Sequence, residues 1–530
     1  MYVRRNTKGN DPDNNGPNKK RKEGVGSEQL DVKDGSQLQR YVQILGTDSS
    51  DCCPSILVVT EACRIVFNAG DAQRLCSQYQ VRLNKLEHLF LTELHADTLG
   101  GLLGMYLTLS DSGVKKLSVH GPRGVTHFLR SGGRPESELV PVEIPSGDVQ
   151  PVVLDHVSIL PLPTSEVEKS ERVEGVKEES DGEGEEADGK KKRNFVPSST
   201  LAVSYLLRFA DEAGRMDVNK ALSLGVPKGP LLGQLKAGKS VTLTCGTIVE
   251  PQDCVEDAVE GPLIGIWFCP DVSSITKLAE RMKVGEVPPP PLKSPHTSKP
   301  KKKKLALVIH MSSNHILLHE TYKQLVEEFC ENDAKHVILN SHTQIICQLN
   351  KVSPVFFPIP KDSEKKVEQR MQALDQIKRC DWSTSDVNKN LWPASIMLKF
   401  GIKPAKYSGL YHYDPSVQLK SVSTEIDDEI ICKQTTAATN IPPSLQSISR
   451  QSAEVLILGT AASLPGKYRN VSAIFVDLFD RGGILLDCGE GTLGQLARFY
   501  GDEELREIIA KTKCVWISHM HADHHLGELL

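Results

Sequence analysis

Residues 514–530 read CVWISHMHADHHLGELL, and the fold follows from how this stretch is read. A short apolar run, Cys514-Val515-Trp516-Ile517, predicts a strand that opens onto His519, His521, Asp523 and His524. Residues two apart in an extended segment project from one face, so His519 and His521 point toward one ion. Asp523 and His524 begin a predicted helix and face a second ion beside the first. Imidazole nitrogens suit zinc, while a carboxylate adds negative charge and holds a second metal or a proton. This H-x-H-x-D-H spacing behind a strand therefore reads as a metal-ligand constellation rather than a His-rich surface loop. Two metals about 3.5–4 Å apart would activate water and clamp the oxygens of a phosphodiester.

The 530 residues leave room for two or three domains with linkers. No apolar run approaches the roughly 20 residues of a bilayer span and no secretory signal opens the chain, so no membrane partner is expected. Thirteen scattered cysteines without C-x-x-C pairs predict reduced thiols rather than a disulfide framework. The net charge of −5 leaves nucleic-acid binding open, because acidic linkers can hide basic surfaces.

Residues 1–38 are polar, carry Lys19-Lys20-Arg21-Lys22, and predict a disordered basic tail. That cluster reads either as a nuclear import signal or as solvated tail; Asp11, Asp13 and Glu23 argue against a mitochondrial presequence. From residue 39 to 362, strands such as YVQIL, SILVV, RIVF and HLFLT alternate with helical patterns, which predicts an α/β layered domain. Residues 166–193 read as a disordered acidic insertion, and 287–304, with PPPP and KPKKKK, as an extended linker. Strands are expected at Leu305–Ile309 and His336–Leu339, with an amphipathic helix near Glu320–Phe329 between them. Between about 215 and 250, glycines and prolines are interleaved with Lys228, Lys236 and Lys239. This predicts either a compact arm that tracks phosphates or an ordinary basic loop. Residues 363–452 predict a helical segment followed by a linker, and α/β texture restarts at 453.

The two α/β regions repeat one another. Gln43-Ile44-Leu45-Gly46-Thr47 corresponds to Leu456-Ile457-Leu458-Gly459-Thr460, and Ile65–Asp71 to Ile484–Glu490. Glu93-Leu94-His95-Ala96-Asp97-Thr98 lies over His519-Met520-His521-Ala522-Asp523-His524. Glu93 and Thr98 stand where the second copy has histidines, and a Thr hydroxyl is a poor zinc ligand. Copy one is thus expected to keep the fold without the metals, with His95 and Asp97 as structural remnants.

With these residues in view, the chain resembles the metallo-β-lactamase fold enzymes, and within them the long form of tRNase Z. Ser463–Ser472 (SLPGKYRNVS) resembles that family's P-x-K-x-R-N loop, Leu486–Thr492 its L-D-x-G-E-G-T segment, and SHMHADHHLG its metal motif. The resemblance covers nearly the whole chain from residue 41. It implies tandem αβ/βα sandwiches, the second incomplete, and zinc-dependent, two-metal endonucleolytic removal of the 3′ trailer from precursor tRNA. His519 and His521 would hold the first Zn2+, with Asp523 and His524 at the second and Asp523 also accepting a proton. Asp487 would orient a ligating imidazole and Glu490 a neighbour, while Lys467 and Arg469 would hold phosphates; for Lys467, Arg469 and Glu490 a purely structural role stays open. Residues 215–250 would be the RNA-binding arm. The family uses further ligands downstream of this motif, so the 530-residue chain by itself is expected to bind zinc weakly, to leave RNA uncut, and to expose apolar sheet surface in copy two. A noncatalytic tRNA-binding product and another hydrolase of the same fold are the alternatives. Nucleus is the expected location, with the mitochondrion second, and the oligomeric state is left open.

Overall fold

The computed structural model describes residues 37–47, 52–131, 138–164, 201–212, 214, 216–256, 259–284, 287–288, 290, 304–339, 390–411, 452–466 and 469–529. The basic tail, the acidic insertion, most of the Pro/Lys-rich linker, the helical pattern near 364–377 and Lys467 lie outside the described residues.

Among the described residues, copy one is built on two sheets. The eight-stranded sheet runs in the order Gly409–Tyr411, Lys399–Lys403, Arg40–Gly46, Ser55–Val59, Arg64–Phe67, Leu86–Phe90, Leu117–Pro122, Leu139–Ile144. The seven-stranded sheet runs Leu391–Pro393, Cys330–Ile338, Leu305–His310, Leu263–Trp267, Val203–Phe209, Val157–Pro163, Val152–Val153. Side chains alternate between the two faces of a strand. Val42, Ile44, Ile65 and Phe67 of the first sheet therefore meet Tyr205, Leu207, Ile264 and Ile309 of the second in one inter-sheet core. The opposite faces carry Leu45, Leu57 and Val66 under the helices Ala72–Gln78 and Leu102–Asp111, and Trp267 and Val308 under Val272–Val284 and Glu320–Phe329. This is an αβ/βα sandwich. Strands covered on both faces read as continuous apolar runs, as SILVV does.

The helix read from sequence at Glu320–Phe329 has those bounds in the structure, and the strand after it is longer than HVIL, running Cys330–Ile338. Residues 391–411 differ from the helical segment and linker read there. Lys399–Lys403 pairs antiparallel with Arg40–Gly46, and Leu391–Pro393 pairs parallel with Cys330–Ile338, so this piece closes both sheets of copy one.

Copy two contributes a four-stranded sheet, Glu454–Gly459, Ala473–Asp477, Gly483–Cys488 and Thr512–Trp516. The helices Thr492–Tyr500 and Asp502–Lys511 follow its third strand. One face is packed through Leu458, Phe475, Leu485, Leu496 and Tyr500. The other face leaves Val455, Ile457, Leu486 and Trp516 exposed, whereas their counterparts Val42, Ile44, Phe67 and Phe90 are buried in copy one.

The segment 216–255 forms its own small core of Ala221, Val226, Leu235, Val241, Leu243, Val249 and Cys254. Helices Val218–Ser223 and Pro230–Lys236 and the strand pair Val241–Thr242/Ile248–Val249 build it. Two antiparallel bridges, Glu212 to Val259 and Met216 to Val255, close its base. Lys228, Lys236 and Lys239 are exposed on it.

Candidate metal centre

The motif lies at the carboxyl end of Thr512–Trp516, where the chain turns into the one-turn helix Ala522–His525. Gly489 lets that helix sit against the end of the neighbouring strand, because a Cβ there would lie 2.3 Å from the carbonyl oxygen of Asp523. Gly70 does the same in copy one, where a Cβ would lie 2.1 Å from the carbonyl oxygen of Asp97. The two motifs are therefore held by the same close backbone approach.

His519 and His521 come together, with Nε2 of the first 3.0 Å from Nδ1 of the second. The His519 and His524 rings lie 4.0 Å apart between centroids, and His524 Nε2 is 3.4 Å from Asp523 Oδ2. All four motif side chains thus share one cluster. Asp487 sits behind it with Oδ2 2.7 Å from His524 Nδ1. Its other oxygen accepts the Ser518 N–H at 2.7 Å, and the Ser518 hydroxyl donates to Oδ2 at 3.0 Å. Burial alone would raise the Asp487 carboxyl, but the Ser518 N–H and hydroxyl and His524 outweigh it and hold it below the ordinary value. Asp523 Oδ2 accepts the Ser463 N–H at 2.7 Å, which ties the helix to the loop before Arg469. Arg469 itself is exposed.

Asp487 occupies the left-handed region at φ 57°, and so does Asn68, its counterpart, at φ 60°. Each accepts the N–H that precedes its motif, Thr92 for Asn68 and Ser518 for Asp487. Copy one keeps the hydrogen bond with a neutral amide and loses the carboxylate that would orient an imidazole. Its histidine has other work: His95 Nδ1 accepts the Asp97 N–H at 3.3 Å, and Thr98 Oγ1 accepts the His95 N–H at 3.1 Å, so the pair caps its own short helix. His521, at the same position, makes no such cap and its ring is left to face His519.

Glu490 faces copy one. Its side chain is buried against copy one's helix Leu102–Asp111, where a Cβ on Gly104 would lie 1.2 Å from Oε2. A helix-interior glycine costs about 0.5–1 kcal/mol relative to alanine, and here it makes room for this carboxyl. Oε2 has no hydrogen-bond partner among the described residues. Burial, with Asp71 nearby, pushes the Glu490 carboxyl up to about 8. A cavity of about 370 Å³ separates the copies here, lined by Gly104, Thr108, Asp111, Ser463, Glu490 and Asp523. Sequence reasoning missed this side of the motif, since nothing local marks Gly104 as a partner of residue 490.

The donors are of the kind that binds zinc, and 3.0 Å between two imidazole nitrogens is near the roughly 3.3 Å spacing of two nitrogens on one tetrahedral zinc at about 2.0–2.1 Å each. Among the described residues, no three or more His, Cys, Asp or Glu side chains converge on a single ion. The His519–His521 pair has the spacing of two ligands on one ion.

Residues 43–101 match the family described as tRNase Z endonuclease. The chain is 31% identical over 537 residues to the mitochondrial tRNase Z TRZ3 of Arabidopsis thaliana, covering 92% of this chain and 57% of that one. It is 28% identical over 515 residues to the mitochondrial ribonuclease Z of Drosophila melanogaster, covering 92% and 61%. The chain thus spans less than two thirds of the length of these curated relatives. The crystal structure of a long-form RNase Z from yeast shares the fold, with a TM-score of 0.55 at 17% identity over 92% of this chain and 67% of that one. A sandwich with a blunted motif, joined to a second copy that carries the histidines, is thus similar to tRNase Z relatives over 92% of its length and shares the fold of a long-form RNase Z.

Proposed function

We propose that this protein removes the 3′ trailer from tRNA precursors as a zinc-dependent endoribonuclease. The observation that carries this reading is the cluster of His519, His521, Asp523 and His524 with Asp487 behind it, in a chain similar to these relatives. His519 and His521 hold one zinc, and Asp523 and His524 lie at a second. Zinc, when held by these residues, would lower the pKa of a water toward neutral pH and offset charge on the phosphate. Asp487 keeps the His524 ring oriented through Nδ1. Asp523, steadied by the Ser463 N–H, is placed to take a proton. Lys467 and Arg469 hold phosphates near the cleaved bond. Two ions need more ligands than these four side chains provide, so further donors complete the shell. The arm at about 215–250 grips the tRNA through Lys228, Lys236 and Lys239. In this reading residues 39–411 form the metal-free unit and copy two begins near 453. The protein acts in the nucleus or the mitochondrion; two relatives are mitochondrial by name, and no helix among the described residues is long and apolar enough to cross a membrane.

The second reading, a noncatalytic tRNA-binding protein, is favoured by the lack of three converging donors among the described residues. Zinc titration separates the two. His521→Ala is expected to weaken zinc binding at least about a hundredfold, and Asp487→Asn about 10–100-fold, as the loss of an orienting partner does. Undiminished zinc affinity in both variants would reject the site. Cleavage of a trailer-bearing precursor is then compared for this chain and a product extended past Leu530; zinc-loaded protein that binds the RNA and never cuts it would leave the binding reading.

Replacing Lys228, Lys236 and Lys239 with alanine tests the arm. If each contacts a phosphate, tRNA affinity falls and the slope of log K against log salt drops by about 2–3 in all, at roughly 0.7–0.9 per contact. An unchanged slope removes the arm from the interface.

A further inference from the structure

Arg498 extends from copy two's helix Thr492–Tyr500 into the blunted motif of copy one. One guanidinium nitrogen, Nη1, lies 2.7 Å from Cys53 Sγ, 3.3 Å from Asp71 Oδ2 and 3.4 Å from Asp97 Oδ1. The Arg498 and Asp71 side chains are only 11% and 5% exposed. The acceptors are themselves organised: the Cys53 N–H donates to Asp71 Oδ2 at 3.1 Å, and the Cys53 thiol to Asp97 Oδ1 at 3.2 Å. Gly494, one turn before Arg498, opens the same helix face, and a Cβ there would touch Asp97 Oδ1 at 3.4 Å.

We infer that copy one's motif has become a guanidinium-binding socket, built from Asp71, Asp97 and Cys53, whose ligand is Arg498. The cation that a working motif would take as a metal ion is here supplied by the other copy's side chain. Asp97, the counterpart of Asp523, is the shared element. His95 has turned to capping and Thr98 offers only a hydroxyl, so two carboxylates and a thiol remain, and Nη1 of the guanidinium reaches all three. Burial would raise the Asp71 carboxyl, but Arg498 and Arg74 outweigh it and hold it well below its ordinary value. Burial would likewise lower Arg498, and Asp71, Cys53 and Asp97 more than reverse it. Burial keeps the Cys53 thiol protonated. The socket also fixes copy two, because the helix it grips begins one residue after Gly491, beside Glu490.

Chemical rescue in the full 530-residue chain tests this. R498A leaves Asp97 and Cys53 without their cation and Asp71 with Arg74 alone. Hydrogen exchange of the 492–500 amides is expected to speed up by about tenfold or more, while the Leu263–Trp267 strand keeps its protection. Millimolar methylguanidinium should restore slow exchange, methylammonium at equal ionic strength should not, and D71N/D97N/R498A should gain nothing from either. Unchanged exchange in R498A, equal rescue by methylammonium, or better rescue by zinc would each overturn the assignment. Should R498A be recovered only unfolded, R498K decides: it keeps the charge without the guanidinium, is expected to exchange faster than the parent, and overturns the socket if the two are indistinguishable.

Discussion

Ile44→Ala is expected to destabilise the protein by about 2–5 kcal/mol, whereas Ile457→Ala, at the same position of the second copy, should change stability by no more than about 0.5 kcal/mol. The two residues share a strand pattern and a face, and they differ in what lies over that face. Ile44 is 3% exposed in the core between two sheets, and Ile457 is 55% exposed on a sheet whose opposite side alone is packed. The same contrast holds for Phe90, fully buried, and Trp516, 63% exposed on the strand that leads to the histidines. Truncating Ile44 leaves a cavity in a dense interior, so the lost transfer energy and the cavity term add; truncating Ile457 leaves none. Urea midpoints of the two single variants, read at an unchanged slope, measure this directly. Equal losses would mean that a covering layer lies over Val455, Ile457, Leu486 and Trp516 in solution.

That pair also shows how far the sequence could be read. The repeat was legible because the same local needs recur: a left-handed residue at Asn68 and Asp487, and a glycine at 70 and 489 that admits a backbone oxygen. The clustering of His519, His521, Asp523 and His524 was legible from spacing alone, since a strand end followed by one helical turn leaves few other arrangements. Lys399–Lys403 was not legible. Its partner strand lies about 360 residues earlier, and KFGIK carries too few apolar residues to declare a central position between two strands. Arg498 was missed for a related reason. An arginine on a helix reads as solvent-facing, and only the tertiary fold brings Asp71, Asp97 and Cys53 to it. Glu490 was read as part of its local motif, yet its environment is set by Gly104, which no local pattern connects to it.

Glu490 yields the other large effect, a pH dependence of stability that Glu490→Gln should remove. The carboxyl sits against Gly104 without a hydrogen-bond partner for Oε2 among the described residues, and burial together with Asp71 pushes it from 4.5 to about 8. A group whose proton is held more tightly in the folded state stabilises that state fully below its unfolded pKa. Here the contribution is complete below about pH 4.5 and is lost as pH rises through about 8, because the unfolded chain releases the proton first. At about 1.36 kcal/mol per pKa unit, the whole swing is at most on the order of 4–5 kcal/mol. Histidines titrate in the same window, so the informative quantity is the stability of Glu490→Gln minus that of the parent at each pH. A neutral amide of the same shape loses no proton, and the difference should start near zero at pH 4.5, climb through pH 5–8 and level off above. A flat difference would place an ionised Glu490 in the folded protein and require a cation or donor facing Oε2. A climbing one means that the contact between Glu490 and copy one is made by a neutral acid at pH 7, so that alkaline conditions weaken the seam between the copies beside Asp523.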